Sequence, residues 1–294
     1  MATSETFSHI RYEVRDRIAT LTLDRPARLN AIVRGMPAEL RRAVERANED
    51  NSVHAIVLTG AGRAFCSGYD LAETAEDASA AAGGQDPTKG PWDPMVDLAM
   101  MHRNTQDMMS LWRSPKPTIA KVRGFAVAGG SDIALCCDLV VMAEDAQIGY
   151  PPARVWGIPT TAMWVYRLGA ERAKRMLFTG DLVTGKEAAA MGLVLEAVPE
   201  AELDARVAAL ASRIASVPKN QLMMSKLLVN QSMEAAGLHQ TQLFSSLFDG
   251  IARHSPEGTW FKQLAEAEGF KEAVRQRDSG EPIADGTSKD FYRF

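Results

Sequence analysis

Cysteine is scarce in this sequence, and its three cysteines are poorly placed for cross-linking. Cys136 and Cys137 are adjacent and cannot easily form a disulfide with each other, and Cys66 stands far from both. No paired spacing typical of metal ligands is present. We therefore expect neither disulfides nor a bound metal.

Long apolar runs are also missing. No stretch approaches the roughly 18 residues that a membrane-spanning helix needs, and the opening MATSETFSHIRYEV lacks the charged head and apolar core of a signal peptide. The formal net charge of -4 gives no basic field for nucleic acid, although local basic clusters could hold a small phosphorylated ligand. We expect a cytoplasmic protein without membrane or nucleic-acid partners.

What the sequence does contain is an alternation of strand and helix patterns typical of an α/β protein. IRYEVRDRIATLTL predicts a hairpin that turns at Asp16 and Arg17, and MPAELRRAVERANED predicts a helix. Buried strands are predicted for AIVLTG, for the start of TIAKVRGFAVAGG and for DLVVMAED. From Gly169 onward the patterns are almost all helical. We predict a core over residues 1–200 and a helical region over residues 201–294.

One internal segment differs from its surroundings in composition. Residues 72–94 are small, polar and rich in glycine and proline, which predicts a long loop inserted in the core. Loops of this length often serve as lids over a site, so a lid is one possible role for this insert.

Two short motifs resemble catalytic signatures of other enzyme classes. GAGRAF follows a strand as a dinucleotide-binding loop would, but Phe65 stands at the third glycine position. FCSG places a cysteine beside a serine without the G-x-S-x-G turn of a hydrolase nucleophile. Neither motif supports a nicotinamide site or nucleophilic hydrolysis.

Three longer segments carry the main functional signal. In order they are GRAFCSGYDL, then KPTIAKVRGFAVAGGSDIALCCDLVVMAEDAQIGYPPARVWGIP, then LFTGDLVTGKEAAAMGLV. Together they resemble the crotonase, or enoyl-CoA hydratase/isomerase, superfamily from about Ile18 to Val198, and more faintly at EGFKEAVRQRD. The resemblance implies a crotonase-like ββα spiral core and a helical C-terminal half that trimerises. It also implies an acyl-CoA thioester substrate, no cofactor other than the coenzyme A of that substrate, and a homotrimer or a dimer of trimers.

The glycine run AVAGGSD fits the needs of thioester chemistry. Stabilising an enolate requires two backbone N–H donors that converge on one oxygen, and a helix that begins at glycines offers free N–H groups and close approach. By resemblance, Gly129 supplies one donor and Tyr69, in a position usually held by a small residue, supplies the other. Gly130 is expected to leave room for the ligand, although these glycines could instead only let the helix pack against a strand.

Hydration calls for two carboxylates, one that activates water and one that supplies or orients the α-proton. The sequence provides one of them at a family position. The first family acid matches Asp132, which could alternatively only favour the first turn of a helix. Counting back from Gly157, the second family glutamate matches Ala153, and an alignment slipped by one residue matches Pro152. Neither residue transfers protons, so the stiff proline segment IGYPPARVWGIP, residues 148–159, is expected to form a wall of the pocket without its usual carboxylate.

Substrate-binding residues follow from the same resemblance. Tyr150, Arg154 and Trp156 are candidates for the pocket wall, and Arg154 could bind a substrate carboxylate, pair with Asp132 or be a surface residue. The remaining candidates are predicted around the adenine and phosphates of coenzyme A: Cys66, Ser67, Gly68, Asp70, Arg28 and Arg277.

We expect an enzyme similar to enoyl-CoA hydratase that uses the Tyr69 and Gly129 amides and Asp132. Two alternatives remain open at this point. An isomerase, lyase or decarboxylase of the same superfamily could work with one carboxylate, because enolate chemistry depends mainly on the oxyanion hole. A noncatalytic protein that binds acyl-CoA is the other alternative.

Overall fold

A computed structural model describes residues 7–70, 92–281 and 283 of the 294-residue chain. Most of the insert predicted at residues 72–94, from position 72 to position 91, lies outside the described residues. The predicted lid role of that segment therefore stays a prediction.

In the part of the chain that the structure describes, the larger sheet has six strands in the order β1-β2-β3-β4-β6-β9. β1 and β2 form the predicted hairpin, and Asp16 and Arg17 both have positive φ angles, as a tight turn of this kind requires. All other neighbours in this sheet are parallel, so its central strands are buried and nearly all apolar. The strands of this sheet are Ile10–Arg15, Ile18–Leu23, Ala55–Gly60, Thr118–Val122, Leu139–Ala143 and Glu196–Val198.

A second sheet of three short strands has the order β5-β7-β8. Its strands are Phe125–Val127, Gln147–Gly149 and Leu182–Thr184. The β5-β7 pair is parallel and the β7-β8 pair is antiparallel. This sheet places the end of β5, and the glycine run that follows it, beside the end of β7, where the proline segment begins.

Helices cover both sheets and make up the C-terminal region, as the sequence predicts. Helix α1 spans Met36–Glu49 and matches the predicted helix, with buried positions such as Leu40, Val44 and Ala47 at helical spacing. The other helices α2 to α12 are, in chain order, Pro94–Met108, Ser110–Arg113, Gly129–Leu135, Met163–Leu168, Ala170–Thr179, Gly185–Ala190, Glu200–Ala215, Lys219–Ala235, Leu238–His254, Pro256–Glu268 and Phe270–Asp278. None of the described helices combines the length and the apolar character needed to cross a membrane.

Two separate apolar clusters hold this arrangement together. The main cluster fills the space between the six-stranded sheet and the helices around it. A smaller cluster joins Val155 and Trp156 of the proline segment to α11 and α12, through Phe261, Ala265 and Ala273. The last two helices are therefore packed on the proline segment.

Candidate active site

A cavity of about 730 Å³ lies between the glycine run, the proline segment and the C-terminal helices. Its wall is mostly apolar, and Asp132, Asp249 and Arg253 stand among its polar residues. The residues that line it come from distant parts of the chain, among them Leu29, Ser67, Tyr69, Met101, Val127, Gly129, Asp132, Tyr150, Pro152, Trp156, Thr160, Asp249, Arg253, Phe270 and Arg277. Apolar walls with a few convergent polar groups are typical of sites for small ligands.

One wall of the cavity presents two backbone amides without partners. Ala128 links β5 to α4 with φ 52° and ψ -125°, a conformation rare for any residue other than glycine. Its carbonyl accepts the N–H groups of Ser131 and Asp132, but within residues 7–70, 92–281 and 283 neither Gly129 nor Tyr69 donates its N–H to any protein acceptor. Both residues line the cavity.

The two glycines of this wall have different reasons to be glycine. A Cβ on Gly129 would lie 2.8 Å from Ile32 Cδ1 and 3.0 Å from the Tyr69 ring, so glycine lets the two amide-bearing residues touch. A Cβ on Gly130 would lie 2.2 Å from the Cys66 carbonyl oxygen. Gly130 does not line the cavity. Its position agrees with the alternative that this glycine only allows close packing, here of α4 against the Cys66 backbone.

Asp132 extends from α4 into the cavity and is 2% exposed. Its carboxyl accepts a hydrogen bond of 2.6 Å from Thr161 Oγ1, and Gln242 of α10 holds the Thr161 carbonyl. Burial raises the pKa of Asp132 to about 8, with a smaller contribution from the charge of Asp249 and against the effect of Thr161. Asp132 is therefore largely protonated at neutral pH and can donate a proton.

The proline segment lines the cavity in a register that differs from our first alignment. Tyr150, Pro152 and Gly157 face the cavity, but Ala153 lies outside it and packs against the main core. Pro152, the residue that the slipped alignment selects, is therefore the one of the two that lines the cavity. The choice of Ala153 as a pocket residue is corrected accordingly.

The same segment fastens the C-terminal helices over the cavity. Trp156 adopts φ 85° and stacks against Phe261 and Phe270 at centroid distances of 5.1 and 5.8 Å. Arg154 donates from Nε to the Arg277 carbonyl at 2.6 Å, and its two terminal nitrogens donate to the carbonyls of Thr179 and Glu281. Arg154 therefore neither lines the cavity nor pairs with Asp132, which corrects two of the roles considered for it.

The residues predicted around coenzyme A divide into two groups. Ser67 and Arg277 line the cavity, and Arg277 is paired with Asp278 at 2.7 Å. The others do not line it: Cys66 is fully buried with its thiol pKa raised to about 12 by burial, Gly68 packs behind Ala128, Asp70 pairs with Arg25 at 3.0 Å, and Arg28 is exposed next to the lining residue Leu29.

Sequence reasoning missed Asp249 of α10, a buried carboxylate that lines the cavity. Asp249 Oδ1 accepts the Ile158 N–H at 3.0 Å, and its Oδ2 accepts Arg253 Nε at 3.1 Å. Arg253 also donates to both oxygens of Asp97, which in turn accepts from Trp92. Burial raises the pKa of Asp249, and the adjacent guanidinium opposes that rise. The only signal in the sequence was an acid and a base four residues apart in DGIAR.

The tyrosine hydroxyls of the cavity remain neutral. Burial raises the pKa of Tyr69 and of Tyr150, and the charges of Asp132 and Asp249 add to both shifts. Tyr150 donates its hydroxyl to the Ile158 carbonyl, next to the amide that holds Asp249. Over the described ranges, no group of three or more His, Cys, Asp or Glu side chains is arranged to hold a metal ion.

Comparison with known proteins gives a consistent result. The sequence model described as enoyl-CoA hydratase/isomerase matches residues 13–261. A Mycobacterium tuberculosis protein provisionally named enoyl-CoA hydratase EchA13 is 34% identical over 261 residues, which cover 83% of this chain and 78% of that protein. The region that the family model matches, residues 13–261, contains Tyr69, Gly129, Asp132 and Asp249.

Solved structures extend the similarity to the whole fold. A crystal structure described as enoyl-CoA hydratase from Mycobacterium smegmatis is 48% identical, with a TM-score of 0.87 over 93% of this chain and 94% of that one. Another, described as an enoyl-CoA hydratase/isomerase from Xanthobacter autotrophicus Py2, is 30% identical, with a TM-score of 0.85 over 94% of this chain and 100% of that one.

Proposed function

The chain belongs to the enoyl-CoA hydratase/isomerase family of the crotonase superfamily, and on that premise we propose that it hydrates 2-enoyl-CoA thioesters. The observation that carries this proposal is one cavity that contains two unpaired amides, of Tyr69 and Gly129, together with the buried acid Asp132. Amides held in place before the reaction need no reorganisation when negative charge develops, which is why such donors stabilise oxyanions strongly.

The proposed reaction uses this arrangement in a defined order. The thioester carbonyl oxygen accepts the N–H groups of Tyr69 and Gly129, which makes the β-carbon electrophilic. Water adds to the β-carbon, the electron pair of the double bond moves toward the thioester, and the resulting enolate oxygen stays bound to the two amides. Asp132, protonated at neutral pH because of its burial, then donates its proton to the α-carbon, and the proton that the attacking water releases returns to Asp132 through solvent.

The rest of the cavity suits the remainder of an acyl-CoA. Apolar residues such as Met101, Phe270 and Val274 line it. Near the C-terminal helices the wall also carries two ion pairs, Lys262 with Glu266 and Arg277 with Asp278. We assign the coenzyme A end of the substrate to this charged part of the wall. Arg277 is the one earlier phosphate-binding candidate that lines the cavity, whereas Arg28 does not.

We further propose that the chain assembles as a homotrimer or a dimer of trimers. Helices α9 and α10 carry exposed apolar side chains on neighbouring turns, and exposed patches of this kind mark association surfaces. These side chains are Met224, Leu227, Leu228, Val229, Leu243, Phe244 and Phe248. Analytical ultracentrifugation at micromolar concentration tests this, and a monomer would contradict it.

A panel of acyl-CoA substrates tests the proposed reaction. Crotonyl-CoA and longer, branched and dicarboxylic enoyl-CoAs should each be followed for water addition, double-bond migration and CO2 release. We expect water addition to at least one enoyl-CoA. Isomerisation or decarboxylation without hydration would assign the chain to another reaction of the family, and tight binding of CoA esters without any turnover would favour a noncatalytic binding protein.

A further inference from the structure

We propose that Asp249 is a second catalytic carboxylate of this cavity and that it takes the proton from the attacking water. This inference rests on the proposed hydration and names the group that acts in place of a carboxylate in the proline segment. No motif of the sequence resemblance contains Asp249, and it reaches the cavity from α10, in the helical region of the chain.

The position of Asp249 supports this role. A point at the Cβ position of Gly157 would lie 3.0 Å from Pro152 Cβ and 3.4 Å from Asp249 Oδ1, so the carboxylate stands beside the residue that replaces the expected glutamate. The hydrogen bond from the Ile158 N–H fixes Asp249 to the proline segment itself. The Asp249 carboxylate thus comes from α10 and lies next to Pro152 at the cavity wall.

Asp249 also has room to bind water. Among the described residues, its side chain accepts one hydrogen bond at each oxygen, from Ile158 and from Arg253, and an ionised carboxylate has about four acceptor positions. Two positions remain, and Asp249 lines the cavity into which the enoyl group would fit. A water molecule held there needs only one further partner to be oriented.

The charges around the two carboxylates separate their roles. Asp249 lies against the Arg253 guanidinium, which favours its ionised form, whereas the hydrogen-bond partner of Asp132 is the neutral hydroxyl of Thr161. Burial raises the pKa of both carboxyls, but only at Asp249 does a cation in direct contact oppose that rise, and this difference assigns the base to Asp249 and the acid to Asp132. Asp97, on α2, faces the far side of Arg253 and does not line the cavity.

The proton and electron balance of the step is complete. The Asp249 carboxylate accepts a proton from water as the water oxygen bonds to the β-carbon, and the π electrons of the double bond move onto the thioester as an enolate. Protonated Asp132 gives its proton to the α-carbon as the enolate collapses. One water molecule has been added, and a proton passes from Asp249 to Asp132 through solvent before the next turnover.

Asp249 and Asp97 both pair with Arg253, so the same substitution at each residue can be compared directly. Asp249→Asn keeps the shape and an acceptor oxygen for the Ile158 N–H but removes the base. We expect kcat for crotonyl-CoA to fall by about 100-fold or more, with KM within about threefold of wild type. Asp97→Asn removes the other negative charge that pairs with the Arg253 guanidinium. Because Asp97 does not line the cavity, this variant should keep kcat within about threefold of wild type.

A second variant separates chemistry from support of the fold. Asp249→Ala should be inactive and should regain part of its kcat as formate is added, because formate can occupy the vacated carboxylate position, whereas formate should not affect Asp97→Asn. If Asp249→Asn retains kcat within threefold, or if formate restores nothing to a folded Asp249→Ala that binds CoA esters, Asp249 is not the base. A wild-type protein that hydrates no enoyl-CoA overturns the proposed function itself, so the two failures are distinguishable.

Discussion

Replacing Asp132 by asparagine should change how the stability of the protein depends on pH. The carboxyl has a folded-state pKa of about 8 because of its burial, compared with about 3.9 in an unfolded chain. Between these values the folded state keeps a proton that the unfolded state has lost. Stability is therefore lost as pH rises through this window, and the loss levels off above the folded pKa.

The magnitude follows from the size of the shift. Each pH unit inside the window costs about 1.4 kcal/mol, so a rise from pH 5.5 to pH 8 removes about 3 kcal/mol of stability through Asp132 alone. Asparagine has no charge to bury and can still accept the hydrogen bond from Thr161. The variant should therefore gain on wild type as pH rises, by about 6 °C in Tm over that interval.

Differential scanning fluorimetry of both proteins at equal concentration, from pH 5.5 to pH 8.5, measures this difference. All other titrating groups are common to the two proteins, so their contributions largely cancel when the Tm values are subtracted. A Tm difference that stays constant across this range would show that the Asp132 pKa is not raised, and the assignment of a neutral acid at pH 7 would fail.

Three further predictions concern the cavity wall. In an Asp249→Asn background, Pro152→Glu should restore part of the hydration rate, because it places a carboxylate at the cavity. Ala153→Glu should restore none, because Ala153 lies outside the cavity. Equal effects of the two substitutions would refute the assignment of Pro152, rather than Ala153, to the cavity wall. Gly129→Ala should lower kcat by about 100-fold, because its Cβ would collide with Ile32 and displace the amide; wild-type kcat would exclude this amide from catalysis. Arg154→Ala should raise KM for CoA esters about tenfold with kcat nearly unchanged. The substitution removes hydrogen bonds from the Arg154 guanidinium that each contribute about 1.5 kcal/mol or more, including the one that holds α12 over the cavity. An unchanged KM would show that Arg154 does not hold α12 in place.

Local sequence patterns were sufficient for most of the fold. The run AIVLTG predicts β3 with its observed bounds, Ala55–Gly60, and alternation alone predicts the turn at Asp16 and Arg17. Such features depend on neighbouring residues, so periodicity reports them. The three-residue strands Leu182–Thr184 and Glu196–Val198 were not predicted, because strands this short show no recognisable alternation and exist only through their partners.

The register of the proline segment shows why one site residue was assigned incorrectly. Our count was anchored on Gly157, the only glycine near the end of the segment. In the structure the left-handed residue is Trp156, with φ 85°, which the aromatic contacts to Phe261 and Phe270 hold in place. A tertiary contact thus overrides the usual preference of glycine for this conformation, and no local sequence pattern shows that Pro152 lines the cavity whereas Ala153 does not.

Asp249 was missed for a different physical reason. It lies 117 residues after Asp132 in the chain and has no local motif, so only the packing of α10 against the proline segment brings the two carboxylates to one cavity. An acid four residues before an arginine on a helix is most often a surface ion pair. Burial of both side chains, which the sequence does not display, distinguishes this pair from a surface one.

The most direct test of the account is the rate of crotonyl-CoA hydration by wild type and by Asp132→Asn, with the product identified as the 3-hydroxyacyl thioester. We predict turnover by wild type and a kcat at least about 100-fold lower in the variant, with the affinity for CoA esters unchanged. Absence of hydration by wild type across the enoyl-CoA panel, or a variant within about threefold of wild type, would contradict the account.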